Sequence, residues 1–300
     1  MVLEPSKPQM GRFFVLSMIF VFDRRRGVHG LRPLDAATIS ELRCHFRAAL
    51  VLRPCRPSSN RLDPAPRMPD PAQVRSMFAR IAGRYDLLNR TLSLGIDQRW
   101  RRRLLARAGL VRGNVVVDVC CGTGDVALCF ADAGARVVGV DFTPQMLVHA
   151  ERKRGAAQTA GLFANGDALK LPIAAGTAEL CTIAFGIRNV ADRAACLREL
   201  GRVLRPGGRA LVLEFSMPER PVFGWIYRAY FTRVLPLVGR LISKHDDAYS
   251  YLPRTVLAWP SPAEFQREME REGFVECGHE LLTFGIAAIH WGRRPVERAG

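Results

Sequence analysis

From residue 115 onward, short continuous apolar runs alternate with stretches whose apolar side chains return every third or fourth position. VVVDV (115–119), RVVGVD (136–141), ELCTIAF (179–185) and ALVLEF (210–215) read as strands, with a shorter one at LFANGD (162–167). Between them DVALCFADAG, TPQMLVHAERKRG and DRAACLRELGRVL carry the helical period. Strands that are apolar at every position are buried on both faces, and such strands separated by helices predict a parallel sheet covered on each side. A closing pair near FVECGHELL and FGIAAIHWG adds two more strands, the last antiparallel. The expected fold class is therefore α/β: a Rossmann-like, seven-stranded, mostly parallel sheet with helices on both faces. Upstream, residues 72–110 read as a helical N-terminal part of the same domain, which we place at 68–300.

Residues 1–67 lack this patterning. FFVLSMIFVF (13–22) is apolar but spans ten residues, too few to cross a bilayer. Its arginines follow the apolar run, whereas a signal peptide has its positive charge before it. RPCRPSSNRLDPAPR (53–67) then reads as a Pro/Arg/Ser linker. The expectation is a disordered extension or a start codon placed too early, with a targeting sequence ranked below both.

Charge narrows the partners. Lys and Arg number 44 against 28 Asp and Glu, a formal +16, which suits an anionic membrane or a nucleic acid. The plainer alternative is arginine richness without a partner. None of the eight cysteines forms a CxxC pair, so zinc spacing is absent and free thiols in a reducing compartment are expected.

The turn VVVDVCCGTGD (115–125) carries the first candidate chemistry. Gly122 and Gly124 follow a strand and open a helix, where backbone without Cβ atoms can approach a ligand. With Ala127 and with Asp141 downstream, the spacing also fits a dinucleotide turn. Two acids weigh against a pyrophosphate: Asp118 inside the strand and Asp125 at the helix start. With Asp141 ending the second strand and Asp167 after the next, Asp118 makes three acids at three successive strand ends, which point to S-adenosylmethionine, a cationic adenosine without phosphates. Each acid also has a structural reading: a buried capping residue at 118, an N-cap at 141, a turn residue at 167. On this reading the two cysteines in the turn are small packing residues.

YDLLNRTLSLGIDQRW (85–100), AFGIRNVAD (184–192) and RVLRPGGRALVLEFS (202–216) resemble three signatures of the ubiquinone/menaquinone biosynthesis C-methyltransferases (UbiE/MenG), in the right order. The resemblance runs from about residue 72 to 295 and implies a class I methyltransferase. The implied reaction is transfer of a methyl group to a ring carbon of a prenylated quinol, in menaquinone or ubiquinone biosynthesis. It also implies that Thr123 lies in the cofactor turn, that Asp141 holds the ribose, and that Asp167 and Ala168 lie at the adenine. Tyr85, Arg188 and Asn189 match its substrate-side residues, with Arg188 suited to stabilising a phenolate. The chain departs from the family pattern at Asp97, where the signature carries His, and at Ala184, which is often Ser. No metal is expected.

The stretch 217–252 mixes Phe223, Trp225, Tyr227 and Tyr230 with Arg228, Arg233 and Lys244. It reads as a lid for an apolar substrate that also rests on an anionic bilayer, or as a helix packed on the sheet edge. The expected location is cytoplasmic, peripheral at the inner face of the membrane. No RNA-binding module is recognisable and no nucleic acid is expected; a homo-oligomer is left open. Two other functions compete: a class I methyltransferase acting on RNA or a small phenol, and a non-catalytic cofactor-binding scaffold.

Overall fold

A computed structural model describes residues 70–296, apart from 94, 110–111, 160, 220–223, 226 and 229–245. The expectations for residues 1–67, and for most of the 217–252 stretch, lie outside the described residues.

The helices are α1 (Pro71–Ile81), α2 (Tyr85–Leu92), α3 (Ile96–Ala108), α4 (Asp125–Asp132), α5 (Pro144–Ala157), α6 (Arg193–Val203), α7 (Asp246–Leu257) and α8 (Pro262–Arg271). The strands are β1 (Val115–Val119), β2 (Arg136–Asp141), β3 (Leu162–Asn165), β4 (Ala178–Ala184), β5 (Leu204–Phe215), β6 (Val275–Leu282) and β7 (Ala287–Arg293). They form one sheet in the order β3-β2-β1-β4-β5-β7-β6. The first five are parallel, and β7 runs antiparallel between β5 and β6. This is the α/β fold that the alternation predicts.

Two apolar layers enclose the sheet. On one face α3 and α4 bring Trp100, Leu104 and Phe130 onto Val116, Leu211 and Leu213. On the other, α6 and α8 bring Leu197, Leu200 and Phe265 onto Val117, Ile183 and Val212. Phe130 and Phe265 are 1% and 0% exposed, and burying each side chain contributes about 1.5–3 kcal/mol. Because the central strands are covered twice, their apolar runs show no alternation. β5 is longer than the ALVLEF run suggests: it starts at Leu204, taking in the Arg-Pro-Gly-Gly turn, with Ala178 of β4 opposite Leu204.

The switch point lies between β1 and β4, where the strand order reverses direction. Their C-terminal ends open a crevice of the kind that holds ligands in such sheets. The turns after β1, β2 and β4 meet there.

Candidate functional site at the switch point

The glycine turn is built by left-handed backbone. Cys120, Gly122 and Gly124 have φ of 55°, 55° and 81°. Gly124 has no alternative: a Cβ there would stand 2.8 Å from the Phe163 ring and 3.0 Å from Ala150. The Gly122 N–H donates to Asp141 Oδ2 at 2.9 Å, and the Thr143 N–H donates to Oδ1 at 2.8 Å. Burial raises the Asp141 carboxyl above its ordinary range, against the pull of those two hydrogen bonds. Each carboxylate oxygen keeps a further lone pair, so the group can still accept from ligand hydroxyls.

The turn after β4 locks into this one. A Cβ on Gly186 would lie 2.4 Å from Cys120 Cβ, which explains the glycine in AFGIRN. Phe185, just before it, has a φ of 59°. Two non-glycine residues in left-handed backbone thus flank the same crevice, each at a cost of about 1–3 kcal/mol. Cys120 is on the cavity wall, so the expectation that both cysteines merely pack is corrected for it.

A cavity of about 100 Å³ lies between these turns. Of the sequence-predicted residues, Tyr85, Gly122, Asp141, Asp167, Ala168 and Asn189 line it, beside Phe78, Val140, Phe185 and Val190. Among the described residues that line it are two acids and no Lys or Arg. A pyrophosphate would find no counter-charge here, while a cationic ligand would.

Asp118, Thr123, Gly124 and Arg188 are off the cavity wall. Asp118 points the other way, into the layer under α3, and is 1% exposed. It accepts from Thr182 Oγ1 at 2.7 Å, and burial pushes its carboxyl up to about 7. Of the three strand-end acids taken to mark the cofactor, Asp118 is therefore corrected: it does not line the cavity. Asp97, standing where the family signature has His, is also buried on that side. It accepts from Ser93 Oγ at 2.7 Å and lies 3.5 Å from Arg101.

Thr123 is tied up in a network. Its hydroxyl donates to Asp86 at 2.6 Å and accepts from Lys153 at 2.9 Å. Lys153 also pairs with Asp86 at 2.6 Å and Asp125 at 2.5 Å, fastening α2 and the glycine turn to α5. Burial raises the Asp86 carboxyl, but the hydrogen bonds from Lys153 and Thr123 outweigh it and hold it below the ordinary range. Asp125 is thus paired with Lys153 and off the cavity wall, and the argument against phosphate rests on the cavity lining instead.

Arg188 is corrected as well. Its Nη1 donates to Glu214 Oε1 at 2.6 Å and to the Phe185 carbonyl at 2.7 Å, with side-chain exposures of 7% and 0% for the pair. Its charge is matched inside the protein, so it is not a bare cation awaiting a phenolate. Burial raises the Glu214 carboxyl, while Arg188 pulls it back. Sequence reasoning quoted Glu214 within LEFS without giving it a role. It also passed over Tyr251 of α7, whose hydroxyl donates to Asn189 Oδ1 at 2.9 Å.

Among the described residues no group of His, Cys, Asp and Glu is arranged to hold a metal ion. The six described cysteines are free.

The chain is similar to known proteins. The chain is 51% identical to a demethylmenaquinone methyltransferase of Thermus thermophilus, over 73% of this chain and 100% of that one. It is 47% identical to the ubiquinone/menaquinone biosynthesis C-methyltransferase UbiE of Syntrophotalea carbinolica, over 74% of this chain and 94% of that one. In fold it is similar to the magnesium protoporphyrin IX methyltransferase of Synechocystis, with a TM-score of 0.54 at 18% identity, over 75% of this chain and 100% of that one. Residues 68–294 match the ubiE/COQ5 methyltransferase family, and at these identities and coverages the chain belongs to it.

Proposed function

We propose that this enzyme methylates a ring carbon of a prenylated quinol, demethylmenaquinol foremost, using S-adenosylmethionine. The observation that carries the reading is the cavity lining: acids at two strand ends, apolar walls and, among the described residues, no basic side chain. This lining fits the cofactor. Asp141 would accept from the ribose hydroxyls, and Asp167 with Ala168 would border the adenine. Bound there, the cofactor supplies an electrophilic methyl group on a positively charged sulfur.

The chain's own residues do the rest. Phe185, Val190 and Phe78 exclude water from the acceptor ring, which strengthens every polar contact made to it. Tyr85 and Asn189 offer hydrogen-bond donors to the ring oxygens and hold the reacting carbon in place. Arg188 and Glu214 act one step back. Together they brace the Phe185 carbonyl, and with it the turn that carries Asn189.

The menaquinone branch is favoured over ubiquinone because the 51%-identical relative is a demethylmenaquinone methyltransferase. Peripheral contact with an anionic membrane, at its cytoplasmic face, follows from the +16 charge and the apolar substrate. No described helix is long and apolar enough to cross a membrane. Expression in a bacterial host lacking its own quinol methyltransferase tests the reading. Restored methylated menaquinone is expected; a quinone profile that stays demethylated overturns it.

A further inference from the structure

We infer that Tyr251 is a positioning residue for the acceptor, fixing the Asn189 amide so that its N–H donors, not its carbonyl, meet the quinol ring. This rests on the proposed quinol methylation. Asn189 ends the short helical turn Ile187–Asn189 and lines the cavity. Its amide can sit either way round, and the two orientations present opposite chemistry to a ligand. Two neighbours decide between them. Tyr251 donates to Oδ1 at 2.9 Å, and Nδ2 lies 3.4 Å from the Phe185 carbonyl, where an oxygen would be repelled. With Oδ1 turned to the Tyr251 hydroxyl and one N–H directed at Phe185, the other N–H is the donor that Asn189 has to offer.

The sign matters for the reaction. A quinol oxygen grows more negative as its ring carbon becomes nucleophilic, so a donor there lowers the barrier and a carbonyl raises it. Tyr251 reaches the site from a well-anchored helix. One turn on, Val256 is fully buried and packs with Phe215, Met217 and Leu252. The hydroxyl also keeps its proton: burial raises it, and Glu214 adds to that, against the opposing Arg188 and Arg254.

A double-mutant cycle tests this with a short-chain demethylmenaquinol and S-adenosylmethionine. Tyr251→Phe is expected to lower kcat/KM for the quinol about tenfold, the worth of one hydrogen bond. Calorimetric affinity for S-adenosylhomocysteine should stay within about twofold, and the melting temperature within a few degrees. Asn189→Ala should lose more, about a hundredfold. Adding Tyr251→Phe to Asn189→Ala should change nothing further, because the tyrosine acts through the amide. Multiplying losses in the double variant, an unchanged Tyr251→Phe enzyme, or a collapse of its stability would each overturn the inference. A wild-type enzyme inactive on the quinol would instead overturn the proposed function, and with it this inference.

Discussion

Glu214→Gln isolates one quantity, the charge that balances Arg188. Glutamine keeps the shape and an oxygen that can accept from Arg188 Nη1 and from the Phe215 N–H, both within 2.8 Å of Glu214 Oε1. What it removes is the negative charge at a position with no exposure, beside a guanidinium that is 7% exposed. Breaking a buried pair while leaving one charge behind costs about 3–5 kcal/mol, and the surviving hydrogen bonds put this variant near 3. With a urea m-value of about 2.5 kcal/mol/M, the unfolding midpoint should fall by about 1 M at unchanged slope. Arg188→Met combined with Glu214→Gln leaves no orphaned charge and should recover most of that stability. A Glu214→Gln midpoint within about 0.2 M of wild type would refute the idea that the pair is desolvated. A double variant that is stable and still turns over would show that the reaction does not need the guanidinium.

Asp141→Ala strips the acceptor from two backbone N–H groups and from the ribose, so affinity for S-adenosylhomocysteine should fall about a hundredfold by calorimetry. Equal affinity would refute the site assignment. Asp118 titrates near 7 in the fold against 3.8 in the unfolded chain, so the fold loses stability as pH rises between those values. Asp118→Asn should therefore gain on wild type by about 2–3 kcal/mol between pH 5 and 8, read from urea midpoints; a constant difference would contradict the burial argument. Gly124→Ala places a Cβ 2.8 Å from Phe163 in left-handed backbone and should destabilise by about 1–3 kcal/mol, seen as a lower melting temperature.

What the sequence carried was local. The Val-rich runs and the Gly122–Gly124 turn announce their conformation within a few residues, and Asp141 is placed by being the last residue of a strand. Asp118 misled because strand alternation is the cue for which way a side chain points, and a strand covered on both faces hides that cue. The Arg188–Glu214 and Asn189–Tyr251 contacts join residues 26 and 62 apart, so they exist only once β4, β5 and α7 are side by side. Lys153 is one of several charges in HAERKRG, and it is the hub of the network around Thr123. Nothing in its own helix distinguishes it from Arg152 or Arg154.

The crevice is tight: about 100 Å³, where pockets that enclose a nucleoside-sized molecule have about 300–1,000 Å³. One wall belongs to Pro71, Phe78 and Tyr85, on α1 and α2, and α2 is fastened by the partly exposed Lys153–Asp86 pair. Such a pair is worth about 1 kcal/mol or less and weakens with salt. The clasp is therefore cheap to open, and raising the ionic strength weakens it further.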